Sequence, residues 1–569
     1  MITTKLYHSL IPIMPERCEG TELKDYSICQ NEAFSFQMAY KITDSSAKST
    51  PFFMKVITEL PINSYYVGYV PVIHADLDEV KPVQPIGLYP DMLVPKKVNA
   101  ELIKKEAWSS RFYFEADDKL LLFAYNDSWQ SIWFAVNEDG EELAEGKYDV
   151  KIELYSRKLE LIGESSLCIE IIGEKLTDQN FIYTNWFHYD CLCDYYNEPL
   201  FSERYFEIMR DFVRKAVRNG MNMLLLPAFT PPLDTAVGHE RMTVQLVKVK
   251  VVDKDKYMFD FSLLKRFVDM CREDGIQYFE HSHFFTQWGA EHAPKIVAEI
   301  DGKEERIFGW ETDACSPEYI GFLRAYLTEL QKFLKEEHLE KNILFHISDE
   351  PTDKNYKNYE RAHGKIADLL EGYMVGDALS VPEFYKSGLV KLPIAKTRRV
   401  KEFVALGGNV WCYYTGGEIC DGMSNRLMQI SRERNRMLGI QMYYYNIKGF
   451  LHWAYNFYYG ELCSGLFNPT MNPCGGYSNA GTTYSVYPAN DGTAYQSVRQ
   501  KIFAEGITDM RVLQLLEKLA GRSVCEEIIE KFFGIPEFDK SPDNPEVMIA
   551  FRQTINETIR HYHDLKNNE

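Results

Sequence analysis

The chain is short of positive charge. Its 63 lysines and arginines stand against 83 aspartates and glutamates, a formal net charge of -20. Nucleic acid and anionic membrane surfaces attract basic proteins, so neither is expected as a partner. No segment approaches ~18 uninterrupted apolar residues, so no transmembrane helix is expected. The opening residues, Met1 to Gly20, lack a basic start followed by a long apolar region and do not look like a signal peptide. The 12 cysteines form no CxxC and no repeating zinc spacing, the close pair being Cys191-Leu-Cys193. That usage predicts reduced thiols and a cytoplasmic location. Internal repeats and low-complexity tracts are also missing.

The composition that remains, 45% hydrophobic and 26% charged with mean hydropathy -0.32, is that of a soluble globular protein. At 569 residues the chain is too long for one ordinary core. Residues 1–177 alternate apolar and polar positions over short segments, as in Phe34-Ser-Phe36-Gln-Met38-Ala-Tyr40 and Tyr148-Asp-Val150-Lys-Ile152-Glu-Leu154. Turn-rich pieces such as Asn137-Glu-Asp-Gly140 separate them, which predicts an all-β sandwich domain.

From 178 the rhythm changes to strand, helix, strand. About eight such units follow over roughly 340 residues, which argues for an α/β fold with a (β/α)8 TIM-like barrel across residues 178–520. One predicted helix runs from Asn425 to Tyr443, and another opens near Glu505. Residues 521–569 are helical and charged, a C-terminal extension expected to cap the barrel.

The most telling stretch is Ile343-Leu-Phe-His346-Ile-Ser-Asp349-Glu350-Pro351. An apolar strand ends in two adjacent carboxylates, and Pro351 cannot continue a ladder. In barrels the carboxyl ends of strands carry catalytic groups. Adjacent acids are poorly placed to flank a glycosidic bond as separate nucleophile and acid, which retaining enzymes hold ~5 Å apart across the sugar. They suit another division of labour, in which one protonates the leaving oxygen and the other holds a substrate group that itself attacks. The same pair would also suit a buried ion pair, or an N-cap by Asp349 on the helix that follows.

Aromatics cluster at several predicted strand ends: Trp186, Trp411 and Tyr413, and Trp453 close to Asn456. Sugar rings offer flat CH faces that stack on such rings. His281-Ser-His283 would put two imidazoles near one metal, with His346 and Asp349 as further ligands, but no second HxH or HxxxH supports it. Polar contacts to substrate are the better use of these histidines, and no metal or other cofactor is expected. The segment Tyr484 to Gly492 follows the eighth strand and is placed to wall the cleft.

These residues resemble glycoside hydrolase family 123, the β-N-acetylgalactosaminidases. The resemblance rests on Asp349-Glu350-Pro351 and on Gly449-Phe-Leu-His-Trp453-Ala-Tyr-Asn456. It also rests on Tyr487-Pro with Asp491-Gly492 and Ser497-Val-Arg499, and on Glu505-Gly-Ile-Thr-Asp509-Met-Arg511. It covers about residues 178–520 and implies a carbohydrate substrate with substrate-assisted retention. The 2-acetamido carbonyl attacks its own anomeric carbon, Asp349 orients that group, and Glu350 is acid and then base. Trp186, His281, His283, His346, Trp411, Tyr413, Trp453 and Asn456 are the expected substrate contacts. Two other readings stay open: a glycosidase for another sugar with a base from a different strand, and a catalytically silent carbohydrate-binding barrel.

Overall fold

A computed structural model describes residues 2–43, 48–73, 86–95, 119–419, 422–477 and 479–568. Ten strands come first among the described residues: β1 Ile2–His8, β2 Asp25–Cys29, β3 Phe34–Ile42, β4 Ser49–Ile57, β5 Ile62–Val72, β6 Gly87–Pro95, β7 Leu120–Tyr125, β8 Gln130–Val136, β9 Gly146–Tyr155 and β10 Leu161–Ile172. Where the period-2 pattern is clear, it gives the strand one buried face. In β9, Val150, Ile152 and Leu154 face inward, while Lys151 and Glu153 between them reach solvent. β2, β10, β9, β4 and β7 form one sheet. It faces a second sheet across an apolar core that includes Phe36, Phe134, Phe52 and Ile152.

The second half of the chain alternates strands and helices. Its strands are β11 Ile182–Asn185, β12 Met223–Leu226, β13 Lys248–Asp253, β14 Lys256–Asp260, β15 Tyr278–His281, β16 Ile296–Ile300, β17 Lys303–Phe308, β18 Ile343–Phe345, β19 Met374–Leu379, β20 Leu392–Lys396, β21 Trp411–Tyr413, β22 Gly449–His452, β23 Val486–Pro488 and β24 Ala494–Ser497. β11, β12, β15, β18, β19, β20, β21 and β22 close a parallel barrel, with Asn185 of β11 level with His452 of β22 at the seam. The insertions β13–β14 and β16–β17 pair into a small sheet. They leave the carboxyl ends of β12 and β15, so this sheet stands on the side where the site lies.

The helices are α1 Tyr189–Tyr196, α2 Glu203–Arg218, α3 Ser262–Glu273, α4 Pro317–Glu336, α5 Tyr356–Gly364, α6 Glu383–Lys386, α7 Val400–Val404, α8 Arg432–Tyr444, α9 Val498–Ala520, α10 Arg522–Phe533 and α11 Pro545–Asn568. Local chemistry sets their ends. Ser202 Oγ accepts from the Tyr205 amide at 3.2 Å to open α2, and Ser316 with Pro317 opens α4. The helix expected from Asn425 begins only at Arg432, because the Asn425 amide donates to the carbonyls of Thr415 and Glu418 and so folds into the preceding loop. Glu505 does not open a helix either; it lies within α9, which Ser497 caps.

Helices α8 and α9 cross where Gly439 meets Gly506. A Cβ on Gly439 would sit 1.8 Å from the Gly506 carbonyl oxygen, so backbone packs directly on backbone. Beside that crossing, Arg436 pairs with Glu505 and Asp509, and Arg552 of α11 joins Asp509 to Glu32. The C-terminal helix therefore docks both on the barrel's α9 and on the N-terminal sheets, where Asn556 reaches the Ser27 carbonyl.

The second N-terminal sheet has the order β1-β3-β8-β5-β6-β24-β23. Two of its strands thus come from beyond the barrel. Asp91 of β6 fixes them, accepting from Tyr487 Oη and from the Arg499 side chain at 3.1 Å. The segment from Tyr484 to Gly492 is used for this junction and does not wall the cleft.

Candidate functional site

Alternation decides what each barrel strand sends inward. On β15, Glu280 points into the barrel and His281 points out. The His281 ring lies against Phe284 and Phe345, with Nε2 2.7 Å from Tyr326 Oη on α4. His281 is therefore packed behind the strand, away from the cleft. His283, two residues on, returns to the inner side and stacks on His346 at 4.6 Å.

Inside the barrel, Glu280 accepts from Thr184 Oγ1 and from Trp186 Nε1, the latter at 2.8 Å. His346 bridges two acids, with Nε2 2.9 Å from Glu280 Oε2 and Nδ1 3.3 Å from Asp377 Oδ1. Asp377 also receives the Tyr359 hydroxyl and the Ile347 amide. Burial alone would strip His346 of its proton, but hydrogen bonds to Asp377 and Glu280 prevail and raise it from 6.5 to about 10. It is an imidazolium at neutral pH. Burial and the His346 charge hold its stacked neighbour His283 well below the usual range, so that ring is neutral.

Above this layer the chain turns sharply. Glu350 has φ +41°, a left-handed conformation that L residues rarely adopt. The turn breaks the alternation that would send neighbours to opposite faces, and Asp349 and Glu350 line one pocket. Tyr413 Oη donates to Glu350 Oε1 at 2.5 Å. Burial and the Glu350 charge push the Asp349 carboxyl well above the ordinary carboxylate value, with His346 pulling the other way. That upward push falls on Asp349, the acid that the family resemblance assigns to orienting the acetamido group.

The pocket holds about 300 Å³, at the lower end of the ~300–1,000 Å³ usual for small-molecule sites. Trp186, Trp288, Tyr413, Trp453 and Tyr477 supply its aromatic lining; Asp234, Gln287, Thr415 and Asn479 supply polar groups. Asp234 accepts from Tyr477 Oη at 2.7 Å and from the Leu462 amide at 3.2 Å. A larger cleft of about 490 Å³ lies at the seam between the N-terminal sheets and α2 and α9. Its two adjacent carboxylates are both held in ion pairs, Glu138 with Lys501 and Asp139 with Arg218.

The structure thus gathers Asp349, Glu350, Trp186, Tyr413 and Trp453 around one pocket, with His283 and His346 beneath them. It does not bring Trp411, Asn456 or His281 there. Trp411 starts β21 and lies two residues deeper than Tyr413 on the same face. Its ring fills the barrel floor over Gly449, where a Cβ would lie 2.3 Å away. Asn456 clamps the His188 backbone through both ends of its amide.

Sequence reasoning pointed to Trp288 as an aromatic beyond the third strand but missed Glu280, Asp377, Asp234 and Tyr477. Glu280 was within reach, because it alternates with an apolar strand partner that must face out. Asp234, Trp288 and Tyr477 sit on irregular loops and gave no periodic signal.

Of metal-ligating groups among the described residues, His283, His346 and Asp377 bring donor atoms within 4.8 Å of one another. Both nitrogens of His346 already face carboxylates, and the ring is cationic. The trio fits a hydrogen-bonded ion layer better than a metal centre. No helix of the described residues is long and apolar enough to cross a membrane.

A model of the glycoside hydrolase 123 catalytic domain matches residues 186–516, more than half of the chain. A solved family 123 glycoside hydrolase from Clostridium perfringens is similar in fold, with TM-score 0.71 and 14% identity over 99% of each chain. A β-glucuronidase from Parabacteroides merdae covers 75% of this chain and 46% of its own, at 10% identity and TM-score 0.27, too remote to carry an argument. A search of curated proteins gave no match.

Proposed function

The chain belongs to glycoside hydrolase family 123, and we propose that it releases a β-linked N-acetylgalactosamine or related 2-acetamido sugar by substrate-assisted retention. The observation that carries this reading is the turn at Glu350, which aims two consecutive carboxyls into one aromatic pocket. Consecutive residues lie too close together to take opposite faces of a sugar ring. They are well placed to serve neighbouring substituents, the acetamido group at C2 and the leaving oxygen at C1, with the attacking atom supplied by the substrate.

In the first step Asp349 accepts the acetamido N–H. The acetamido oxygen bonds to the anomeric carbon, the bond to the leaving oxygen breaks, and Glu350 gives its proton to that oxygen. The N–H donor and the cationic ring now forming both favour ionised Asp349. Bound substrate therefore favours the ionised form of Asp349, and the proton for the leaving oxygen comes from Glu350. In the second step water attacks the anomeric carbon, Glu350 takes its proton, and the ring oxygen–anomeric carbon bond of the oxazoline opens. Two inversions give net retention. The C. perfringens relative hydrolyses glycolipid glycans, which supports a glycan substrate for this chain.

A second reading rests on Asp234, a third carboxylate in the pocket. There Glu350 remains the acid, and Asp234 acts as nucleophile or base for a sugar without an acetamido group. One experiment separates the two. A thiazoline analogue of the oxazoline should inhibit competitively, and a 2-fluoro sugar should leave no covalent adduct by mass spectrometry. An adduct on Asp234 with no thiazoline inhibition would overturn the first reading in favour of the second.

A further inference from the structure

The loop from Thr286 to His292 holds an unusual strap. Trp288, Gly289 and Ala290 all have positive φ, +62°, +132° and +57°. Two of the three are residues for which that conformation is strained, and such strain persists only where the surroundings enforce it. Here they do. The Trp288 amide donates to the Asp349 carbonyl at 2.8 Å, and the amides of Gly289 and Ala290 reach Ser348 Oγ at 3.3 and 3.2 Å. Gly289 packs so closely on Asn355 that a Cβ would lie 2.5 Å from its side chain. The strap is thus bonded to the end of the catalytic strand itself.

What it holds is an indole that is 45% exposed, while Trp186 and Tyr413 in the same pocket are 2% and 3% exposed. A tryptophan left in water forgoes burial that would have stabilised the fold. The pocket floor is closed by the apolar barrel core of Leu225, Leu344 and Leu451, so a ring reaching the acids must enter from the mouth. The deep aromatics then surround the sugar that is cleaved, and the group it leaves behind stays at the mouth. That group must lie on the side of Glu350, which protonates its oxygen, and the strap is bonded to the residue next to Glu350.

We propose that Trp288 is a specificity-determining platform for the leaving group, which stacks on the exposed indole. A pyranose or another ring with a flat apolar face can stack on the indole. The proposal rests on the substrate-assisted reading above for the identity of the inner sugar only.

The test uses Trp288→Ala and Trp288→Phe in the full chain. Substrates are a disaccharide with a β-linked N-acetylgalactosamine at its non-reducing end, and the methyl glycoside of the same sugar. The expected result is a loss in kcat/KM of about 10–100-fold on the disaccharide for Trp288→Ala, smaller for Trp288→Phe. The methyl glycoside and the thiazoline inhibition constant, which involve only the inner part of the pocket, should change less than about threefold. Equal losses on both substrates would place Trp288 in the inner site, and no loss on the disaccharide would remove it from recognition; either overturns the proposal. If the unaltered enzyme cleaves no 2-acetamido glycoside, the functional reading fails by itself. The same pair of substrates built on the sugar it does cleave then decides Trp288.

Discussion

Glu350→Gln is the most searching perturbation of this site. The replacement keeps size and shape, and the new amide oxygen still accepts the Tyr413 hydroxyl that now lies 2.5 Å from Oε1. What is lost is the transferable proton. General-acid assistance is worth ~10²–10⁴-fold, or about 2.7–5.4 kcal/mol of barrier. That full loss should appear in kcat/KM for substrates whose leaving group is a sugar or alkyl oxygen. Nitrophenyl glycosides of the same sugar should lose far less in the first step, since their leaving group needs little protonation. Glu350→Ala is a poorer probe. It strands the hydroxyl of Tyr413, 3% exposed, and an unpartnered buried donor costs about 1–3 kcal/mol of stability. The assay is kcat/KM against a series of leaving groups of graded acidity, with thermal unfolding to confirm that Glu350→Gln keeps its fold. A loss that is the same across the series would refute the acid role of Glu350.

Further outcomes follow from the layer beneath. The His346 ring should be doubly protonated at pH 8 by nitrogen NMR, because its folded value of about 10 lies above the ordinary 6.5; a ring that titrates near 6.5 would contradict the ion layer. The sign is set by that elevation. The stabilisation from this imidazolium is complete below about pH 6.5 and disappears as pH rises through about 10, so thermal stability should fall over that window and His346→Gln should flatten the fall. Gly439→Ala should cost at least ~3 kcal/mol in denaturant unfolding, because its Cβ meets the Gly506 oxygen at 1.8 Å and two helix backbones must part; unchanged stability would show that α8 and α9 do not touch there.

The sequence carried the strands of the barrel and the acids well, and for one reason. A parallel strand buried on both faces reads as a short apolar run, and Ile343 to Ile347 is such a run, broken by Asp349-Glu350-Pro351. The same logic misplaced Trp411. Period-2 alternation says which face a residue takes, but not how far along the barrel axis it sits. His281 failed for a related reason: HxH reads as a pair, yet one ring went to the α4 side and the other inward. The left-handed turn at Glu350 and the strap at Trp288 had no legible signal, since positive φ at residues other than glycine is imposed by tertiary contacts. Neither did the pairing of β6 with β24, which joins segments about 400 residues apart and which no local pattern encodes.

That pairing bears on how the protein is made. During synthesis β6 emerges early, but its neighbour in the sheet, where Leu93 meets Gln496 and Met92 meets Ser497, does not yet exist. At ~5–20 residues per second the ribosome needs roughly 20–80 s to supply it. Throughout that interval the nascent N-terminal sheet presents an open strand edge, the kind of surface that recruits strands from other chains. Closing it requires the whole barrel to have been translated. Chaperone dependence should therefore be highest for chains stalled between β6 and β24, and should drop once residue 497 has cleared the exit tunnel.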